Sequence, residues 1–166
     1  MIKSLIIIYI FFLGITGTWE GWVPVATDLY LRGHNVAGWT YGSYVEFHSG
    51  GIYANLENNS KNETEIVTTK AYNLSPYNYL NVEYYLIHGY MDREVTVMLT
   101  LTCNDYSSAG RIYQYCPKDV STILSLSLKT ISYTANKMKL GLRGFSKNDT
   151  NTGYSMTGYI YRIWLS

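Results

Sequence analysis

Apolar and polar residues alternate with a period of two along most of this chain. The clearest run is Val95, Val97, Leu99, Leu101 and Cys103, interleaved with Thr96, Met98, Thr100 and Thr102. Leu80, Val82, Tyr84 and Leu86 alternate in the same way with Asn81, Glu83, Tyr85 and Ile87. Leu124, Leu126 and Leu128 alternate with Ser125, Ser127 and Lys129, and Met138, Leu140 and Leu142 with Lys139, Gly141 and Arg143. An extended backbone gathers each set onto one side, whereas a helix would scatter it around its circumference. Shorter β-branched or aromatic stretches predict further strands over 39–47, 51–56 and 64–70. The closing stretch, 154–165, is apolar on both faces and is predicted to be a central strand. Turn residues fall between these runs at Ser49-Gly50-Gly51, Glu57-Asn58-Asn59-Ser60, Ser75-Pro76, Ser107-Ser108-Ala109-Gly110 and 148–153. Seven or eight short strands with turns between them predict an all-β fold, an antiparallel two-sheet β-sandwich of jelly-roll type.

Composition supports this reading and narrows the function. Aromatic residues make up 16% of the chain, 18 tyrosines among them, and tyrosine suits a pleated, half-buried surface. Charged residues are only 15%, with 13 basic against 12 acidic side chains and a net charge of +1. A nucleic-acid binder needs a basic stripe to displace counterions, and this balance supplies none. At 166 residues the chain has room for one domain.

The N-terminus carries a basic start, Met1-Ile2-Lys3, then nine apolar residues from Leu5 to Leu13, then the small residues of Gly14-Ile15-Thr16-Gly17. Two readings fit residues 1–17: a secretory signal peptide, or an apolar arm buried in an assembly. The run is about half the ~20 residues of a membrane-spanning helix. Residues 18–28 then form a lead-in, and 29–166 the sandwich. In an oxidising compartment Cys103 and Cys116, the only cysteines, could pair; otherwise Cys103 is a small core residue and Cys116 a loop thiol.

Nothing in the sequence assembles a catalytic site. His34, His48 and His88 are scattered, and no metalloprotease helix or serine-nucleophile elbow is present. The carboxylate pairs Glu63/Glu65 and Asp92/Glu94 each share a strand face, which fits a cation or a solvated edge equally. No cofactor and no metal site are expected. Binding has more support. Trp39, Tyr41 and Tyr44 share an early strand region with Gly38 and Gly42, and Tyr113 and Tyr115 fall in the 104–119 connection, taken here as a long loop. Flat amphipathic rings suit sugar faces and protein surfaces alike. Trp39 and Trp164 carry a second reading as core fillers. Asn58, Asn62 and Asn148 lie in glycosylation sequons that fit exposed loops.

Several segments resemble a known family. From Leu29 the order LYLRGHNVAGWTYGSY, GGIYAN, TTKAYNLSPYNYLNVEYYL, LGLRGF and TGYIYRIWL is similar to the C-terminal jelly-roll modules of phage and prophage tail-fibre and receptor-binding proteins of low-GC Gram-positive hosts. The matching features are Gly38-Trp39, the stretch from Asn73 to Val82, and the closing Ile163-Trp164-Leu165. The resemblance implies a virion-attached module that binds a host surface glycan or protein, in a homo-oligomer, with a trimer expected. Together these observations predict a non-catalytic binding module on a virion or at the cell surface. Two alternatives stand: a structural fibre or decoration subunit making only protein contacts, and a secreted protein with a cleaved leader.

Overall fold

The computed structural model describes residues 26–56, 63–89, 95–104, 107–131, 134–145 and 153–166, with backbone only for 107–109. The readings placed on residues 1–17, on Asp92/Glu94 and on the three sequons lie outside the described residues. Fourteen strands and no helix are present among the described residues, and every strand pairing is antiparallel. The strands are β1 (Thr27–Leu31), β2 (Trp39–Tyr41), β3 (Val45–His48), β4 (Gly51–Asn55), β5 (Ile66–Thr68), β6 (Tyr72–Asn73) and β7 (Tyr79–Gly89). They continue with β8 (Val95–Cys103), β9 (Ser107–Cys116), β10 (Ser121–Ser127), β11 (Thr134–Ala135), β12 (Met138–Phe145), β13 (Gly153–Tyr154) and β14 (Met156–Leu165).

Two six-stranded sheets form the jelly-roll sandwich expected from the alternation. The front sheet runs β10-β7-β14-β4-β3, with β1 added beside β14; the back sheet runs β2-β5-β12-β8-β9, with β13 beside β12. The strand count exceeds the seven or eight expected because two- and three-residue edge strands carry too few residues for alternation to show. The predicted strand at 39–47 is in fact two strands in different sheets, β2 in the back and β3 in the front. The chain crosses over at Gly42–Tyr44. Gly42 and Ser43 still bond Glu65 of the back layer, while the Tyr44 carbonyl already accepts from Asn55 of the front layer. Tyr44 makes this turn at φ 61.

Each long strand sends its apolar set inward. Leu80, Val82, Tyr84 and Leu86 of β7 and Ile160, Ile163 and Leu165 of β14 face Val97, Leu99 and Leu101 of β8 and Met138, Leu140 and Leu142 of β12 in one core. Each such aliphatic side chain contributes roughly 1.5–3 kcal/mol relative to exposure. Buried threonines extend the back sheet past its regular pairing. The backbone N–H of Met138 donates to Thr68 Oγ1, and that of Leu142 to Thr64 Oγ1, each at 2.9 Å.

Two sequence expectations are corrected here. The 104–119 connection is mostly strand β9 rather than a loop, so Tyr113 and Tyr115 stand on the outer face of the back sheet. Cys103 and Cys116 are not joined. Cys116 pairs with Val95 and Cys103 with Ser107, which puts the two thiols at opposite ends of the β8–β9 ladder, eight residues or about 26 Å apart. A disulfide requires Cα atoms within about 7 Å. Burial, only partly offset by hydrogen bonds from Thr122 and Val97, pushes the Cys116 thiol up from 9.0 to about 12. Because the folded value lies above the unfolded one, the associated stability is full below about pH 9 and lost as pH rises toward 12. Both thiols are expected to resist alkylation at pH 8 until denaturant is added, with no change in mobility on reduction. Rapid labelling of either in the folded protein would contradict this burial.

Candidate functional site

The register of the front sheet builds a site that the individual strands do not announce. Tyr159 of β14 lies directly opposite Tyr53 of β4 on one side and Tyr85 of β7 on the other. All three point outward, since their neighbours Ala54, Tyr84 and Ile160 are buried. Strands are about 4.8 Å apart, so the three rings form a row across the sheet at that spacing. The row continues to Glu46 of β3 beyond Tyr53, and to Ser121 of β10 beyond Tyr85.

A bulge widens the row. The β14–β7 register shifts between Ile160 and Arg162, so Ile160 and Ile163 both remain in the core while Tyr161 and Arg162 both face out. Tyr161 stacks against Tyr159 at 6.1 Å and 10° and against Tyr85 at 5.6 Å and 27°. Tyr53 meets Tyr159 at 5.2 Å, and His48 meets Tyr53 at 5.4 Å. These separations lie within the range of favourable ring pairs. The result is a continuous ribbon, His48–Tyr53–Tyr159–Tyr161–Tyr85, across four strands. Gly51 makes room for it: at φ 145 it holds a backbone conformation that suits glycine, and a Cβ there would lie 2.8 Å from the Ile160 carbonyl and 3.2 Å from the Tyr161 ring.

Polar groups line the ribbon. The Arg32 guanidinium lies 3.7 Å over the Tyr161 ring, a cation–π contact that fixes its plane. Arg162 stacks on Trp164 at 4.6 Å and bonds Asp28 at 2.6 Å. His48 Nε2 is 3.0 Å from Glu46, and Ser121 Oγ donates to Glu83 at 2.7 Å. Desolvation first, then the charge of nearby Asp119 and the neighbouring Tyr161, raise the Tyr85 phenol above the ordinary value.

The residues singled out from the sequence are not brought together. Trp39 is corrected from ligand candidate to core residue, 2% exposed. Tyr41 is 68% exposed on edge strand β2, against Phe47 at 5.9 Å. Tyr44 lines a polar cleft of about 320 Å³ with Ser43, Glu63, Thr64, Glu65 and Lys139. There Glu65 is ion-paired with Lys139 at 2.7 Å and Glu63 accepts from Thr100 at 3.5 Å, so the predicted carboxylate pair is engaged within the fold. Tyr113 packs edge-on to Phe145 at 5.7 Å on the opposite face of the molecule from the ribbon. Trp164 is half-buried on the front face rather than in the core. His48 ends β3 and joins the ribbon.

The fold is a jelly-roll sandwich with an aromatic row across one sheet. Solved structures share the sandwich fold. A variant of the carbohydrate-binding module CBM29-2 superposes with a TM-score of 0.53 at 9% identity, covering 86% of this chain and 92% of that one. The xylan-binding module CBM15 gives 0.54 at 9% identity over 85% and 95%. CBM28, a module specific for non-crystalline cellulose, gives 0.53 at 8% identity over 78% and 87%. At these identities the likeness is one of fold. No family model matches the sequence, and no curated protein matches it significantly.

Proposed function

We propose that this domain is a non-catalytic recognition module that lays a glycan chain along the ribbon of the front sheet. The observation that carries this reading is the row Tyr53–Tyr159–Tyr85, placed in register by three adjacent strands and widened by Tyr161. Pyranose rings present flat faces of C–H groups edged by hydroxyls. Tyrosine rings at strand spacing match the faces, and Glu46, Arg32 and Asp119 beside them match the edges. The open, shallow geometry suits binding along a chain rather than chemistry on one bond. The fold shared with three carbohydrate-binding modules supports the same reading. Attachment to a surface glycan fits the resemblance to phage receptor-binding modules, and we extend the proposal to an extracellular or virion setting and a homotrimer. A trimer would multiply weak single-site affinity through effective concentration.

The test is a glycan array probed with the full chain, followed by affinity electrophoresis in soluble polysaccharides. Retardation by at least one polysaccharide is expected. Binding to none of a broad panel, by protein shown to be folded, would overturn the proposal.

A further inference from the structure

The charges around the ribbon are unequal in a way that bears on which glycans it takes. Asp28 and Arg162 neutralise each other at 2.6 Å. Arg32, held over Tyr161, is the cation stacked on the ribbon itself. Three carboxylates border the same rings, and among the described residues none of them is ion-paired with arginine or lysine. Glu46 has the His48 imidazole and Glu83 the Ser121 hydroxyl as donor, and Asp119 lies close enough to Tyr85 for its charge to act on that phenol. Their positions follow the register: Glu46 is opposite Tyr53, Glu83 is two residues from Tyr85 on the same face of β7, and Asp119 is fixed by its backbone N–H on the Leu86 carbonyl at 2.8 Å. Acidic groups therefore stand at both ends of the ribbon, and among the described residues the four carboxylates of Asp28, Glu46, Glu83 and Asp119 outnumber the guanidiniums of Arg32 and Arg162, the latter lying across the register from Glu83.

We infer that the ribbon is specific for an uncharged glycan, and that Glu46, Glu83 and Asp119 determine this specificity by accepting sugar hydroxyls while repelling uronates and sulfate esters. This inference rests on the glycan reading above and names the substrate class of the same site. A carboxylate has about four acceptor positions, so one used by a side-chain donor still has others for a vicinal pair of hydroxyls. An anionic sugar seated on the rings brings its charge within the ~8–10 Å over which charges act at physiological salt. Near a partly desolvated aromatic surface that repulsion is stronger than in bulk water.

Matched polymer pairs that differ in charge test this: hydroxyethyl- against carboxymethyl-cellulose, carboxyl-reduced against native polygalacturonate, and desulfated against native carrageenan. In any pair that is bound, the uncharged member is expected to bind about tenfold more tightly at low salt, with the gap narrowing in 0.5 M NaCl as screening shortens the range to a few ångströms. The triple substitution Glu46→Gln, Glu83→Gln, Asp119→Asn keeps side-chain shape and should raise the affinity for the charged member toward that of its partner. Thermal unfolding of the triple variant checks that it remains folded. Equal or tighter binding of the charged member by the native protein would overturn this inference and leave the glycan reading intact. Failure to bind any of the six polymers or any array glycan would overturn both.

Discussion

Replacing Gly158 by alanine should destabilise the domain by about 3 kcal/mol or more, the scale of a forced clash in a packed core. Gly158 is the third residue of β14, opposite Ala54 on one side and Leu86 on the other. A Cβ at this position would run into the Tyr84 phenol and the Tyr85 carbonyl oxygen. The first obstacle is a side chain that is 0% exposed and fills the space beneath the strand, and the second is backbone of the neighbouring strand. Neither can give way without moving β7, the strand that shares the most extensive pairing with β14 and carries Tyr85 of the ribbon. In urea unfolding the alanine variant should show a midpoint lowered in proportion, and its melting temperature should fall by about 10 °C, at 2–4 °C per kcal/mol for a domain of this size. A change below 1 kcal/mol would mean that β7 and β14 pack less tightly than described.

Tyr84 supplies an internal control. Its hydroxyl is buried and has no hydrogen-bond partner among the described residues. Burial, with Cys116 and Tyr53 adding smaller effects, drives its phenol far above the ordinary range. Tyr84→Phe removes an unsatisfied polar atom and should be neutral or stabilise by about 1 kcal/mol. Combined with Gly158→Ala it should recover only the part of the loss caused by the hydroxyl, because the Tyr85 carbonyl remains in place.

The strands that build the core were legible because their code is local. Val95–Cys103 and Met138–Leu142 alternate regardless of what they pair with, and burial on one face dictates that alternation. The crossover at Gly42–Tyr44 was not legible, since aromatic residues continue through it from Trp39 to Phe47 without a break in β propensity. Strand β9 was hidden for a related reason: Ser107, Ser108 and Gly110 read as turn residues, yet they pair with Cys103, Thr102 and Leu101 respectively, across a bulge. The disulfide was a sequence-distance argument, and register overrules it.

The site itself was missed because it is a property of pairing. Tyr53, Tyr85 and Tyr159 are 32 and 74 residues apart, and only the β4–β14–β7 register makes them neighbours. One signal was nevertheless present. Tyr53, Tyr85, Tyr159 and Tyr161 all occupy the non-core positions of apolar strands, where a solvated face ordinarily carries threonine, serine or charge, as β8 and β10 do. In 154–165 that excess was taken as burial on both faces; the strand is central, and its second face is aromatic because it is the platform.

Tyr159→Ala should therefore cost binding more than any other single change on the surface. Its ring touches Tyr53 at 5.2 Å, Tyr161 at 6.1 Å and His48 at 6.2 Å, so removing it both opens a gap under the ligand and frees three neighbours to move. Central aromatic anchors typically contribute about 2 kcal/mol or more, which is roughly a 30-fold loss of affinity. Tyr159→Phe keeps the ring and should retain most of the binding, which separates the stacking face from the hydroxyl. Tyr113→Ala removes a tyrosine that is 42% exposed on the back sheet, and it should leave affinity unchanged. The measurement is isothermal titration against whichever polysaccharide retards the native protein, with melting temperature as the check on folding. If Tyr113→Ala weakened binding and Tyr159→Ala did not, the ligand would lie on the back sheet and the front ribbon would be a packing feature. The two faces of a sandwich are about 10 Å of core apart and point in opposite directions, so these two substitutions decide between them.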